Sequence, residues 1–148
     1  MTVELMCRLL LGHVVGDYLL QTNQMALNKK ESTLWAALHS FIWTCCIILA
    51  MAPEWNAFSN TQCWIVGSAI FLSHFVLDRF AVVDWWFRYI GSRSYRACID
   101  YCNSDQDTIK KQFMVAYTAL VQTVADNGLH LLFLYIIVKY LIDFSAGL

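Results

Sequence analysis

The sequence is short of charge. Lysine, arginine, aspartate and glutamate together make up 14% of its 148 residues, against about 25% in a soluble globular domain. One proline and six glycines are too few for a collagen-like or low-complexity chain. There is no excess of basic residues either: 10 lysines and arginines stand against 11 aspartates and glutamates, for a net charge of −1. Without a basic face, nucleic acid is not an expected partner. None of the six cysteines, Cys7, Cys45, Cys46, Cys63, Cys98 and Cys102, forms a C-x-x-C pair. Most sit in apolar runs, where a free cysteine acts as a small hydrophobe, so they point to no redox compartment.

What the sequence has is apolar surface. Hydrophobic residues make up 59% of it, and its mean hydropathy is +0.50. That balance predicts an integral membrane protein, a single domain over 1–148 with no room for a separate soluble catalytic domain. The first apolar run lacks a basic leader and carries Arg8, His13 and Asp17, so it is not expected to be a cleaved signal peptide.

Four apolar runs, at about 3–20, 34–52, 63–83 and 114–142, predict transmembrane helices. They lack the alternation of barrel strands, and only helices or closed barrels satisfy backbone groups in lipid. The expected fold is therefore all-α: a four-helix transmembrane bundle. The connection at 21–33 carries Lys29 and Lys30; the one at about 84–112 carries Arg88, Arg93, Arg96, Lys110 and Lys111. Residues 53–62 carry no lysine or arginine. By the positive-inside rule the two basic connections lie in the cytoplasm and both termini outside. Asp84-Trp85-Trp86-Phe87-Arg88-Tyr89 reads as an interfacial amphipathic segment between the third and fourth helices, with aromatic rings at headgroup depth. Residues 100–107 read as a solvated acidic loop without EF-hand spacing.

Each expected helix holds one histidine: His13, His39, His74 and His130. Three have an aspartate four residues away, in His13-x-x-x-Asp17, His74-x-x-x-Asp78 and Asp126-x-x-x-His130. Residues four apart share a helix face. The order reverses in the fourth helix, which runs the opposite way to the first and third. All three aspartates therefore fall in one layer near the cytoplasmic side, with the histidines about one turn deeper. Ionisable groups in a bilayer are costly and mark function. Here seven converge, and the one lysine in the runs, Lys139, lies nine residues past His130. Three carboxylates in one layer need protons or a cation. Imidazole with carboxylate suits zinc, manganese or iron, and seven donors are enough for two divalent ions. The bland alternative is a polar core whose His–Asp pairs only link helices.

The polar stripe continues. Gln21 and Gln24 extend the His13/Asp17 face, and Gln122 precedes Asp126 by one turn; Gln21 and Gln122 are expected to bind substrate or orient ligands. Arg79 follows Asp78 and is expected to pair with an aspartate, hold a phosphate or snorkel to the interface. Gly12-x-x-x-Gly16 permits close helix approach.

These residues resemble the signature of a family of small bacterial and phage inner-membrane proteins of unknown function, H-x-x-x-D-[FY]-x-L-Q-x-x-x-M-A-x-x-K. The matching residues run from His13, Asp17, Tyr18, Leu20 and Gln21 through Met25-Ala26 to the Lys29-Lys30 pair. Leu38-His39, Ser73-His74-x-x-x-Asp78-Arg79 and Asp126-Asn127-x-x-His130 resemble its later parts, with Asn127 where the family has glutamine. The resemblance spans nearly the whole chain. It implies a helical protein of the bacterial inner membrane and brings no established reaction. More distantly, the arrangement is similar to families described as membrane-bound metal-dependent hydrolases.

The leading expectation is a membrane-embedded, metal-dependent hydrolase of a phosphoester or other amphiphilic, lipid-like substrate near the cytoplasmic leaflet. His13, Asp17, His39, His74, Asp78, Asp126 and His130 would be the ligands, with one of the three aspartates as general base. The alternatives are a metal-ion or proton carrier or sensor, and a non-enzymatic membrane scaffold.

Overall fold

The computed structural model describes residues 2–89 and 108–146. Arg93, Arg96 and the acidic loop at 100–107 lie outside the described residues, as do Cys98 and Cys102. The described residues are mostly helical, without strands. In chain order they form α1 (Val3–Val14), a π-turn (Val15–Leu19), α2 (Asn23–Asn28) and α3 (Thr33–Ala50). A 3-10 turn (Ala52–Ala57), α4 (Asn60–Arg79), α5 (Val82–Tyr89) and α6 (Thr108–Ala146) follow. They divide into two compact units: Met1–Phe80 with His130–Leu148, and Ala81–Leu129.

Helix ends follow local chemistry. The Thr2 hydroxyl accepts from Leu5 N at 3.2 Å, and the Thr22 hydroxyl from Met25 N at 3.3 Å. Ser59 and Gln62 close a capping box at the start of α4, satisfying two otherwise orphaned donors. The lone proline, Pro53, sits in the first turn of the 3-10 segment, where its missing N–H costs nothing.

Several expected boundaries change. The first run is not one α-helix: α1 stops at Val14 and the chain widens into the π-turn, where Leu20 N bonds Val15 O at 3.0 Å. The polar connection after it contains α2, which buries Met25. The third helix ends at Arg79 rather than near residue 83, because Ala81 takes a left-handed φ of 47° that no L-residue continues as a helix. The segment expected at the interface forms α5, with Trp85, Trp86 and Tyr89 exposed. The last helix is longer than its apolar run, at 39 residues.

Two helices are long and apolar enough to cross a membrane, Thr33–Ala50 and Lys111–Asp143, with a third candidate if α4 and α5 count as one broken span. The 12 residues of α1 rise only about 18 Å, short of a hydrocarbon core of about 30 Å. Large apolar side chains nonetheless face outward: Leu11, Phe41, Leu49, Trp64 and Ile65 in the first unit, and Leu120 and Val124 in the second, are all at least 60% exposed.

In the first unit each helix turns one stripe inward, and each stripe changes character along its length. Leu5 and Leu9 lead to His13 on α1, and Val66 and Ile70 lead to His74 and Asp78 on α4. Met51, Ile47 and Trp43 lead back to His39 on α3, and Leu141, Val138 and Leu134 lead back to His130 on α6. The hydrophobic ends of the four stripes form one core cluster, and the polar ends meet beyond it. The spacing of three and four residues that buries a helix face thus delivers the histidines to one place.

A buried histidine and aspartate cluster

The cluster is built from the π-turn, α2, α3, α4 and the His130 end of α6. Its centre is a near contact between two imidazoles. His39 Nε2 and His74 Nε2 lie 3.0 Å apart, and both side chains are fully buried. Two carboxylates close on them. Asp17 Oδ1 is 3.1 Å from His39 Nε2 and 3.5 Å from His74 Nε2. Asp78 Oδ2 is 3.2 Å from the first and 3.3 Å from the second.

These four atoms therefore define five edges between 3.0 and 3.5 Å. A tetrahedral zinc with ligand distances of about 2.0–2.1 Å has edges of about 3.3 Å. The triangle of Asp17 Oδ1, His39 Nε2 and His74 Nε2, with sides of 3.0, 3.1 and 3.5 Å, has edges of that size. Asp17, His39 and His74 form one three-donor group suited to a metal ion, and His74, Asp78 and His130 form another, each with donor atoms within 4.8 Å of one another. His130 Nε2 is 3.7 Å from Asp78 Oδ1. The groups share His74, and one nitrogen lone pair serves one ion at a time.

Asp17 owes its position to the π-turn. Widening the turn after Val14 changes the angular step between His13 and Asp17, and such insertions recur at functional sites. The two remain in contact, with His13 Nδ1 3.4 Å from Asp17 Oδ2. The expected glycine pair works as a close-approach surface. A Cβ on Gly12 would sit 3.0 Å from Cys46 O, and one on Gly16 would sit 2.7 Å from Trp43 Cδ1.

Trp43 is part of the site, although a search confined to ionisable residues does not single it out. Its indole stacks on His74 at 4.0 Å with 13° between planes, and its Nε1 donates to His13 Nδ1 at 3.1 Å. With Nδ1 accepting that bond, the neutral His13 ring carries its proton on Nε2. The sequence signal is its position one helical turn after His39.

Lys29 corrects a second expectation. The sequence offers the acidic groups no lysine beside them in the apolar runs. Instead Lys29 Nζ donates to both oxygens of Asp78, at 3.0 and 2.9 Å. The physical reason is α2, which folds the polar connection back and reels Lys29 onto α4. Its signal was the lysine that closes the motif.

Gln21 lies beside the candidate ligand atoms. With its amide oxygen turned toward Lys29 Nζ at 3.1 Å and His39 Nε2 at 3.2 Å, its nitrogen donates to Asp17 O at 3.2 Å. Among the described residues, Arg79 meets the connection between α2 and α3 rather than an aspartate. Its guanidinium donates to Lys30 O, and Nε lies 3.5 Å from Thr33 Oγ1, so it fastens the end of α4 to the start of α3. Gln122 and Asp126 belong to the second unit. There Gln122 Nε2 donates to Asp84 Oδ1 at 3.3 Å; Asp126 sits four residues before His130 on α6.

Exposure is one-sided. The His39 and His74 side chains are 0% exposed and that of Asp78 is 2%, whereas Asp17 is 13% and Lys29 16% exposed. Gln21 is partly exposed as well. The imidazoles form a sealed floor, and the groups of the π-turn and α2 form the accessible rim.

No curated protein and no solved structure matches the chain. A family model does match, over residues 5–147. The chain belongs to the family described as "Protein of unknown function (DUF3307)".

Proposed function

We propose that this is a membrane-embedded metal-site protein, and that its chemistry is hydrolysis of a phosphoester or other amphiphilic substrate at the cytoplasmic leaflet. The carrying observation is the triangle of Asp17 Oδ1, His39 Nε2 and His74 Nε2, whose sides of 3.0–3.5 Å match three edges of a tetrahedron around a zinc-sized ion. Asp17, His39 and His74 are the holding set. Two imidazoles and one carboxylate leave a coordination position open, as catalytic zinc sites do. A divalent ion there supplies a Lewis acid that polarises the substrate oxygen and acidifies water.

The chain's own groups do the rest. Asp78, whose Oδ2 faces both Nε2 atoms, takes up the proton of the attacking water as general base. Trp43 holds His74 by stacking and His13 by its N–H, fixing ring orientation. His130 is the further donor within the first unit that a second ion would use. Manganese and iron suit the same donors as zinc.

The wider setting is also a proposal. The four apolar runs form a bundle with both termini outside and the α2 connection in the cytoplasm of a bacterial inner membrane. The exposed apolar side chains of α3, α4 and α6 then face lipid. An accessible rim on one side only suits chemistry at a leaflet better than passage across the membrane.

One observation favours a second reading, a purely structural polar core. His39 Nδ1 and His74 Nδ1 are buried without a hydrogen-bond partner, whereas a metal-bound histidine usually donates its other N–H. Elemental analysis of detergent-purified protein separates the two. The metal reading expects about one equivalent of zinc, manganese or iron per chain, or two if His130 serves a second ion. His74→Ala, which removes the donor common to both groups, should lose most of it. Folded wild-type protein without metal would sink the metal reading and leave the polar core.

A further inference from the structure

We infer that Lys29, with Gln21, forms the recognition site for an anionic phosphoryl oxygen at the open side of the cluster; this rests on the metal reading above. The argument begins with charge. Asp17 and Asp78 contribute two negative charges and Lys29 one positive. With neutral imidazoles these groups sum to −1, and a divalent ion brings them to +1. An uncompensated charge in a largely buried site is costly. The loaded cluster therefore favours an anion, while the empty one repels it.

Geometry says where that anion sits. The floor is closed by the buried His39, His74 and Asp78, so an incoming group meets the rim first. Asp17, Lys29 and Gln21 make that rim, and Asp17 repels an anion. Lys29 and Gln21 remain. Lys29 Nζ lies within 3.1 Å of the Gln21 amide oxygen, and that amide is rotatable. An ammonium with three N–H donors is a point-charge phosphate binder. In the metal-free cluster it rests on Asp78. An anion arriving at the rim competes with Asp78 for that ammonium and leaves Asp78 free to act as base. Lysine thereby stands in for the ion in one state and holds substrate in the other.

The ligand chemistry is a phosphate monoester or diester oxygen, whose source is either a lipid headgroup or a soluble phosphate. The test uses full-length protein in nanodiscs of zwitterionic lipid, loaded with zinc or stripped with chelator. One arm titrates inorganic phosphate; the other incorporates phosphatidic acid. Zinc-loaded wild type should bind in at least one arm, and chelated protein in neither. Tighter binding of phosphatidic acid assigns the site to a headgroup; equal or tighter binding of inorganic phosphate assigns it to a soluble source. Lys29→Gln should weaken binding at least about tenfold, as loss of a charged hydrogen bond does, yet retain zinc. Lys29→Arg should restore most of the affinity, and Lys30→Gln, equal in charge on the same connection, should bind as wild type does. Zinc-loaded K29Q binding phosphate as tightly as wild type would overturn the inference while leaving the metal site intact. A wild type that takes up no metal overturns both.

Discussion

Trp43 lies at the seam between the hydrocarbon core and the polar cluster, and its two contacts separate into packing and hydrogen bonding. The stack on His74 needs only a ring; the bond to His13 needs the indole N–H. Trp43→Phe keeps the first and removes the second. It leaves His13 Nδ1 short of a buried donor, at a cost of about 1–3 kcal/mol. Supporting partners of metal ligands typically change affinity 10–100-fold, so metal affinity should fall by about tenfold, read by competition with a chelating dye. Unchanged affinity would mean that Trp43 only fills space. The ionisable groups were legible in the sequence at this scale, because charge inside an apolar run is conspicuous. Trp43 was not, since an aromatic in an apolar run looks like any other core residue. Lys29 was hidden for the opposite reason: a lysine in a polar connection looks solvated until α2 folds it inward.

At the scale of elements, the site depends on how closely the first helical segment approaches α3. Gly16 meets Trp43 so tightly that a Cβ would lie 2.7 Å from Cδ1 and 3.0 Å from Cα. The second of these atoms is backbone and cannot swing away. Gly16→Ala should therefore force the segments apart, costing about 1–3 kcal/mol as overpacking does, and should lower metal binding by displacing the ring stacked on His74. Gly128→Ala is the contrast, because among the described residues nothing outside its own stretch of helix lies within 4 Å of the added carbon. In a helix interior that change should be neutral or stabilise by up to about 1 kcal/mol. Parallel thermal melts and metal assays of the two variants check both outcomes. Helix existence was legible from the apolar runs, but the boundaries were not. The π-turn has no periodic signature of its own, and alanine is a strong helix former, so nothing in the sequence flags the left-handed Ala81.

For the molecule as a whole, the cluster is a cross-link. In the first unit its donors come from the π-turn, α3, α4 and α6, with Lys29 added from α2. The hydrophobic core joins α1, α3, α4 and α6 at one end of their stripes, and the polar cluster joins helices at the other. An ion that binds only the folded arrangement must stabilise it by mass action, by about 2.7 kcal/mol at a free concentration near 100 times its Kd. For a chain of this size that corresponds to a rise in Tm of about 5–10 °C. The sign with pH follows from the donors, since imidazoles bind metal only when their lone pairs are free of protons. The zinc-induced shift should shrink as pH falls from neutral into the acid range, because protons compete with zinc for those lone pairs. Thermal melts in detergent with zinc or with chelator, repeated across that range, measure it. His39→Ala should flatten the difference at every pH by removing one of the two central nitrogens. A wild-type Tm indifferent to zinc at every pH would mean that the four stripes meet only to satisfy one another.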